Sequence, residues 1–419
     1  MTTPDLVAEH LATYEPSGEG GGDTFATESV PQRIILTRGS LDTPPRRAFA
    51  ERLLARFPDT ERVEALDRTH MQLRGLLPPG DAARRAAGRR TLVLGTIATP
   101  LRRSRETGIC CPNYLHFSPT AYCTYACAYC YLAGSCSTVV APVAKVFVNL
   151  EDVLAAIARK ARGLREPTSF YLGKLQDALA LDPLTGFSRL LVPFFAEQPF
   201  ARLVMLTKSD GVGNLLQAAK KTPGVFYDDA TICSHTGYDS NNDSWSLFRG
   251  HRGHTVVSWS VNPEPVCREF EAGAPALARR LAAARRCQEA GYPIRFLIMP
   301  MLPVEDRQRH YAELVEAIFA STSPERITLG GICSYGTALR LTARALGSDN
   351  AIARRIAREP SADGRRRFPR ELRAALYRHV IGEIRRHAPS LPIGLCLEEA
   401  ELWQTCGLDP AAPACNCVW

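Results

Sequence analysis

The stretch SPTAYCTYACAYCYLAGS, residues 118–135, sets Cys123, Cys127 and Cys130 at spacings of four and three, with tyrosines packed between them. Thiolates hold iron-sulfur clusters, and a tight run of three can wrap one side of a cubane. Three ligands for four irons leave one iron open to chelate a small molecule, whereas structural zinc wants a closed set of four. Cys136 is near enough in sequence to be that fourth zinc ligand, so both readings stand at this point.

Downstream of the cysteines the chain alternates apolar strands with helical patterns: KVFVNL (145–150), SFYLG (169–173), RLVMLTK (202–208), HTVVSWSVN (254–262), IRFLIMPML (294–302) and RITLGGI (326–332), each followed by an amphipathic run. This rhythm predicts an α/β fold with a parallel sheet covered by helices, most simply a partial βα barrel, whose catalytic groups sit at the C-terminal ends of the strands. Upstream, residues 31–105 read as an N-terminal α/β extension preceded by a Gly- and Ser-rich flexible leader over 1–30. The barrel core is expected over 106–345, interrupted by a polar insertion at 227–254. A basic helical region and a cysteine-rich tail fill 346–419.

Fourteen cysteines in 419 residues are more than a chain of this size needs for disulfides, and point to metal or cluster binding in a reducing compartment. No apolar run approaches the length of a membrane span, and the N-terminus lacks a signal-peptide core, which predicts a cytoplasmic protein. The net charge of +8 comes mostly from arginine and suits a phosphate-bearing partner as well as it suits solvated helix faces.

The motif Cys123-x3-Cys127-x2-Cys130, with Tyr129 before the last cysteine, resembles the signature of the radical S-adenosylmethionine (SAM) superfamily. The resemblance narrows to the spore photoproduct lyase branch on TLVLG (91–95), CTYACAYCYL (123–132), VFVNLEDVL (146–154), LTK (206–208), SVN (260–262), FEAG (270–273) with Arg280, and EAGYPIRFLIMPML (289–302). It implies a radical SAM barrel holding a [4Fe-4S] cluster on the three cysteines, with SAM on the open iron. It also implies reductive cleavage of SAM to a 5'-deoxyadenosyl radical and an external electron donor such as flavodoxin or ferredoxin. By the same resemblance Tyr129 packs on the cluster or the adenine, and Ser260, Asn262 and Arg280 match residues that hold SAM. Lys208 ends a strand and matches a family lysine, and Tyr131 sits where the lyases carry a tyrosine of a radical relay.

Two departures qualify this. Where the lyases carry a cysteine that returns a hydrogen atom to the product, this chain aligns Lys174, followed by Asp177; Lys174 becomes a candidate for binding an anionic or carbonyl group. The tail adds Cys396, Cys406, Cys415 and Cys417 within 22 residues, which reads as a second Fe-S cluster, with zinc or free thiols as alternatives. Cys110 and Cys111 are weaker candidates, and Cys267 and Cys287 read as buried helix-face residues. In the insertion, Cys233, His235, Arg249, His251, Arg252 and His254 are candidates for a lid that grips phosphate; Tyr335 is a further substrate candidate.

Together these favour a biosynthetic enzyme acting on a small phosphorylated, nucleotide or nucleoside-like substrate, its auxiliary cluster donating sulfur or accepting an electron. Repair of pyrimidine lesions in DNA is the first alternative. The second is a noncatalytic metal-binding protein that binds nucleic acid.

Overall fold

The computed structural model describes residues 3–15, 30–134, 142–220 and 250–419. Its strands are β1 (Arg33–Thr37), β2 (Glu61–Ala65), β3 (Thr91–Gly95), β4 (Leu101–Ser104), β5 (Tyr114–Phe117), β6 (Thr120–Ala121), β7 (Ala144–Phe147), β8 (Thr168–Leu172), β9 (Ala201–Thr207), β10 (Thr255–Val261), β11 (Ile294–Met301), β12 (Arg326–Gly331), β13 (Cys333–Ser334), β14 (Arg366–Arg367) and β15 (Ile393–Leu395). The larger sheet has the order β15-β12-β11-β10-β9-β8-β5-β4, parallel from β15 to β5, with β4 antiparallel at the edge. Among the described residues its edge strands β15 and β4 do not pair with each other.

A smaller sheet, β2-β1-β3-β7-β6, lies at the N-terminal end of the chain. KVFVNL belongs here and not to the barrel rhythm: β7 pairs with β3 in parallel, and β6 adds antiparallel to β7. The cysteine loop therefore belongs to the connection from β6 to β7, antiparallel neighbours at the edge of the smaller sheet.

Alternation along each barrel strand separates two faces. Leu203 and Met205 of β9, Val257 and Trp259 of β10, and Phe296 and Ile298 of β11 join the apolar core under the helices. The intervening residues face the lumen: Arg202, Ser258, Ser260, Arg295 and Thr328. Helices cover the other side because their apolar positions repeat at helical spacing. In Leu150–Ala161 the buried residues are Leu150, Val153, Leu154, Ile157 and Ala161, with Glu151 and Asp152 in the first turn and Arg159 and Lys160 in the last, complementing the helix dipole.

The expected leader is corrected over its first part: Thr3–Thr13 is a helix that docks through Val7, Leu11 and Tyr14. The Tyr14 hydroxyl bonds Pro183 O and accepts from Asn214, and His10 bonds Thr185 O at 2.8 Å. The spacing 7, 11, 14 is one helical stripe, overshadowed in the sequence by the Gly-rich run beside it.

The tail folds back into the lumen. Asn416 donates to Phe296 O at 2.8 Å and pairs with the Thr328 hydroxyl, Arg326 donates to Cys415 O at 2.6 Å, and Trp419 lies between the guanidinium groups of Arg202 and Arg295. A β-carbon on Gly394 would stand 2.1 Å from Ala414 O, so only glycine lets the tail backbone lie against β15. The same short peptide brings Cys417 into the electrostatic reach of Tyr114 on β5 and Tyr171 on β8. In a flat sheet β8 and β11 are about 14 Å apart; the tail reaches both because the sheet curls around it.

Candidate active site

The cysteine loop is held by backbone bonds rather than by helix. Ala126 N donates to Ala272 O and Ala128 N to Phe270 O, both at 2.8 Å, fastening the loop to the segment that follows the helix Glu264–Phe270. Tyr122, with a positive φ of 64°, turns the chain into the loop while its N–H bonds Leu175 O. The Thr342 hydroxyl closes the other side on Ala128 O, and Gly134 lies so close to Ala338 that a β-carbon there would stand 2.5 Å from its nitrogen.

Loss of water around Cys123, Cys127 and Cys130 pushes each thiol above its ordinary range, so a metal has to displace the proton. Among the described residues no three His, Cys, Asp or Glu side chains converge on a point suited to one metal ion. Three thiols in one short loop can hold three irons of a cubane, each iron taking one thiolate, and leave the fourth iron open. Cys136 lies outside the described residues.

Beside the loop sits a hub that sequence reading quoted but did not assign a role. Glu271, 2% exposed, pairs with the fully buried Arg280 at 2.5 Å, accepts from Asn262 Nδ2 at 2.9 Å and from the Tyr129 hydroxyl, and lies 3.9 Å from Lys208 Nζ. Burial alone would raise its pKa; Lys208, Arg280 and the two hydrogen bonds outweigh that and hold it at about 2. Four expected site residues, Tyr129, Lys208, Asn262 and Arg280, thus meet at one carboxylate, and Ser260 joins through its hydroxyl, 2.5 Å from Lys208 Nζ. All lie at or beyond the C-terminal ends of β9 and β10. Arg280 is committed to Glu271, Pro275 O and Ser260 O, and so positions the hub. Asn262 Oδ1 is buried without a hydrogen-bond partner. An orphaned acceptor beside a lysine ammonium fits the ammonium and carboxylate of an amino-acid moiety such as that of SAM.

Asp177 organises backbone. Its carboxylate accepts from the Thr207 hydroxyl, Lys208 N, Leu179 N and Ala180 N, fixing the end of β9. Lys174 Nζ bonds Ser104 and Glu106, and Glu106 also takes Arg365 at 2.7 Å. Arg365 reaches the Tyr335 hydroxyl, and the Tyr131 hydroxyl donates to Lys174 O at 2.6 Å. Lys174, Tyr131 and Tyr335 therefore share one patch at the mouth, bridged by Glu106 and Arg365, which the sequence reading missed.

The proposed lid needs correcting where it is described. His251 is buried against Tyr292 and His254 bonds Phe195 O. With Arg252, they precede β10, whose seven residues separate them from Ser260 and Asn262 by about 20 Å. His235, Arg249 and Cys233 lie outside the described residues. Cys406 is a second correction: it packs in the apolar core with Leu402 and Trp403, away from the other tail thiols. The arginine run 365–367 is partly internal as well, Arg365 and Arg367 being committed to Glu106 and Asp363.

A family model described as spore photoproduct lyase matches residues 30–227 and 236–329. The chain belongs to the spore photoproduct lyase family. The spore photoproduct lyase of Geobacillus sp. (strain Y412MC61) is 28% identical over 253 residues, 60% of this chain and 63% of that protein, so the match spans less than two thirds of that relative. That of Bacillus subtilis (strain 168) is 25% identical over 296 residues, 70% of this chain and 74% of the relative. A solved spore photoproduct lyase complexed with dinucleoside spore photoproduct shares the fold at a TM-score of 0.70 and 21% identity, over 88% of this chain and all of that one. A variant with bound AdoMet and dinucleoside spore photoproduct gives 0.69 at 21%, over 87% and 98%. The family match ends before Cys333 and the tail cysteines. No helix among the described residues is long and apolar enough to cross a membrane.

Proposed function

We propose that this chain is a radical SAM enzyme that acts on a cross-linked pyrimidine dinucleotide of the spore photoproduct type, drawing electrons from a flavodoxin- or ferredoxin-like donor. The observation that carries the reading is the three-cysteine loop fastened beside the Glu271 hub at the strand ends. When bound to Cys123, Cys127 and Cys130, a [4Fe-4S] cluster supplies the electron that cleaves SAM to a 5'-deoxyadenosyl radical. This chain's own groups bind and aim: Lys208 and Asn262 offer a cation and an acceptor to SAM, Glu271 and Arg280 fix both, and Asp177 holds the backbone that carries Lys208.

The names of the relatives favour the repair alternative over the biosynthetic reading, and sulfur donation finds no support among them. Lys174 bears on this choice. Its ammonium is committed to Ser104 and Glu106, so gripping a substrate anion would require leaving Glu106. A second Fe-S cluster remains a proposal, with a revised ligand set argued below.

The test is anaerobic incubation of the reconstituted protein with SAM, dithionite and either dinucleoside spore photoproduct or UMP. Release of 5'-deoxyadenosine at least about ten-fold above the substrate-free rate with the dinucleoside, and not with UMP, is the expected result. The reverse pattern would return the biosynthetic reading.

A further inference from the structure

The structure assigns a second thiolate site to the barrel lumen, formed by Cys111, Cys396, Cys415 and Cys417, and we propose that it binds an iron-sulfur cluster. The four residues come from three separate places in the chain: the segment before β5, the end of β15 and the C-terminal peptide. The fold brings them together. Cys415 lies within electrostatic reach of Cys111 and Cys417, and Cys396 within that of Cys111 and Cys415. Cys396 N is anchored to Leu329 O at 2.7 Å and Cys110 N to Glu398 O at 2.9 Å, so the two segments that present Cys396 and Cys111 are fixed independently of the tail.

Buried cysteines are usually small apolar packing residues, and this chain contains that kind too. Cys287 and Cys406 belong to the apolar core and Cys110 packs against it, but Cys111, Cys396, Cys415 and Cys417 do not. They face a lumen lined by Arg295, Arg326, Thr328, Tyr114 and Tyr171.

Two further features fit a built site. Leu397, between Cys396 and Glu398 whose backbones are anchored to Leu329 and Cys110, has a positive φ of 58°, unusual for leucine. Arg326, whose Nη1 holds Cys415 O, has a buried Nε with no hydrogen-bond partner. A buried guanidinium edge with no hydrogen-bond partner, on the side chain that holds the Cys415 carbonyl, suits a cluster whose thiolates carry negative charge.

The site is also placed to matter. Tyr131 lies in the electrostatic reach of both Cys130 of the first site and Cys396 of the second.

The inference goes beyond the proposed reaction and is tested without it. The variant Cys123→Ala/Cys127→Ala/Cys130→Ala, reconstituted anaerobically with ferrous iron and sulfide, is expected to retain about four irons and four sulfides per chain, or two of each for a [2Fe-2S] centre. Adding Cys415→Ala/Cys417→Ala should abolish them, whereas adding Cys406→Ala should not. A triple variant free of iron and sulfide, or one holding zinc without sulfide, overturns the proposal. Should the triple variant fail to fold, the Cys415→Ala/Cys417→Ala double variant decides: iron falling to about half of wild type, or to about two thirds for a [2Fe-2S] centre, supports the second site, and unchanged iron removes it. Failure of the reaction proposed above would look different, as intact iron in the triple variant with no SAM cleavage by wild type.

Discussion

Cys127→Ala is expected to strip the first cluster and lower 5'-deoxyadenosine formation at least about 100-fold, because losing a ligand should cost more than the 10–100-fold typical of losing its outer partners. The loop's backbone is pinned at Ala126 and Ala128, and the hydroxyl of Tyr129 is engaged by Glu271, so Cys123 and Cys130 stay at their own corners and do not take over the vacated one. Cys287→Ala, in the apolar core away from both thiol sites, serves as the control and should leave the rate within about two-fold of wild type. Iron content and SAM cleavage measured together check the expectation. Full activity in Cys127→Ala would remove the three-cysteine site from the chemistry.

Glu271→Ala carries the second large effect, this time on stability. It leaves the fully buried Arg280 facing an empty corner, and removing one partner of a buried pair costs about 3–5 kcal/mol. Glu271→Gln should cost less, since the amide still serves Asn262 and Tyr129 while giving up the ion pair. The pH dependence follows from the depressed pKa. With about 2 in the folded chain against an ordinary 4.5, the stabilisation from the charged carboxylate is fully present above about pH 4.5 and is lost as the pH falls toward 2. Denaturant unfolding of wild type and Glu271→Gln across that window checks the sign: the variant should show the flatter profile. A Glu271→Ala protein destabilised by less than about 1 kcal/mol would contradict the hub.

Local patterns in the sequence were enough for the barrel strands and the first cysteine triad. Continuous apolar runs alternating with helical patterns mark β8 to β12, and the triad lies within eight residues. What the sequence hid depends on long-range pairing. KVFVNL reads as a barrel strand because its composition matches one, yet register with TLVLG draws it into the other sheet. Glu271 has no distinguishing local signal in FEAG; the fold gives it one by closing Arg280, Asn262 and Lys208 around it. Cys406 and Cys417 look alike along the chain; burial separates them, since Cys406 lies under Trp403 while Cys417 enters the lumen. Cys111 was discounted for its neighbour Cys110, and only the fold shows that the two sulfurs have different surroundings.

The central claim is that the radical made beside Cys123, Cys127 and Cys130 takes hydrogen from a dinucleotide lesion. Dinucleoside spore photoproduct deuterated at the carbon that loses hydrogen, incubated with the reconstituted protein and SAM, tests this by mass spectrometry of the 5'-deoxyadenosine. The account predicts deuterium in the 5'-deoxyadenosine formed during turnover of the dinucleoside. Unlabelled 5'-deoxyadenosine, with the photoproduct recovered intact, would contradict it.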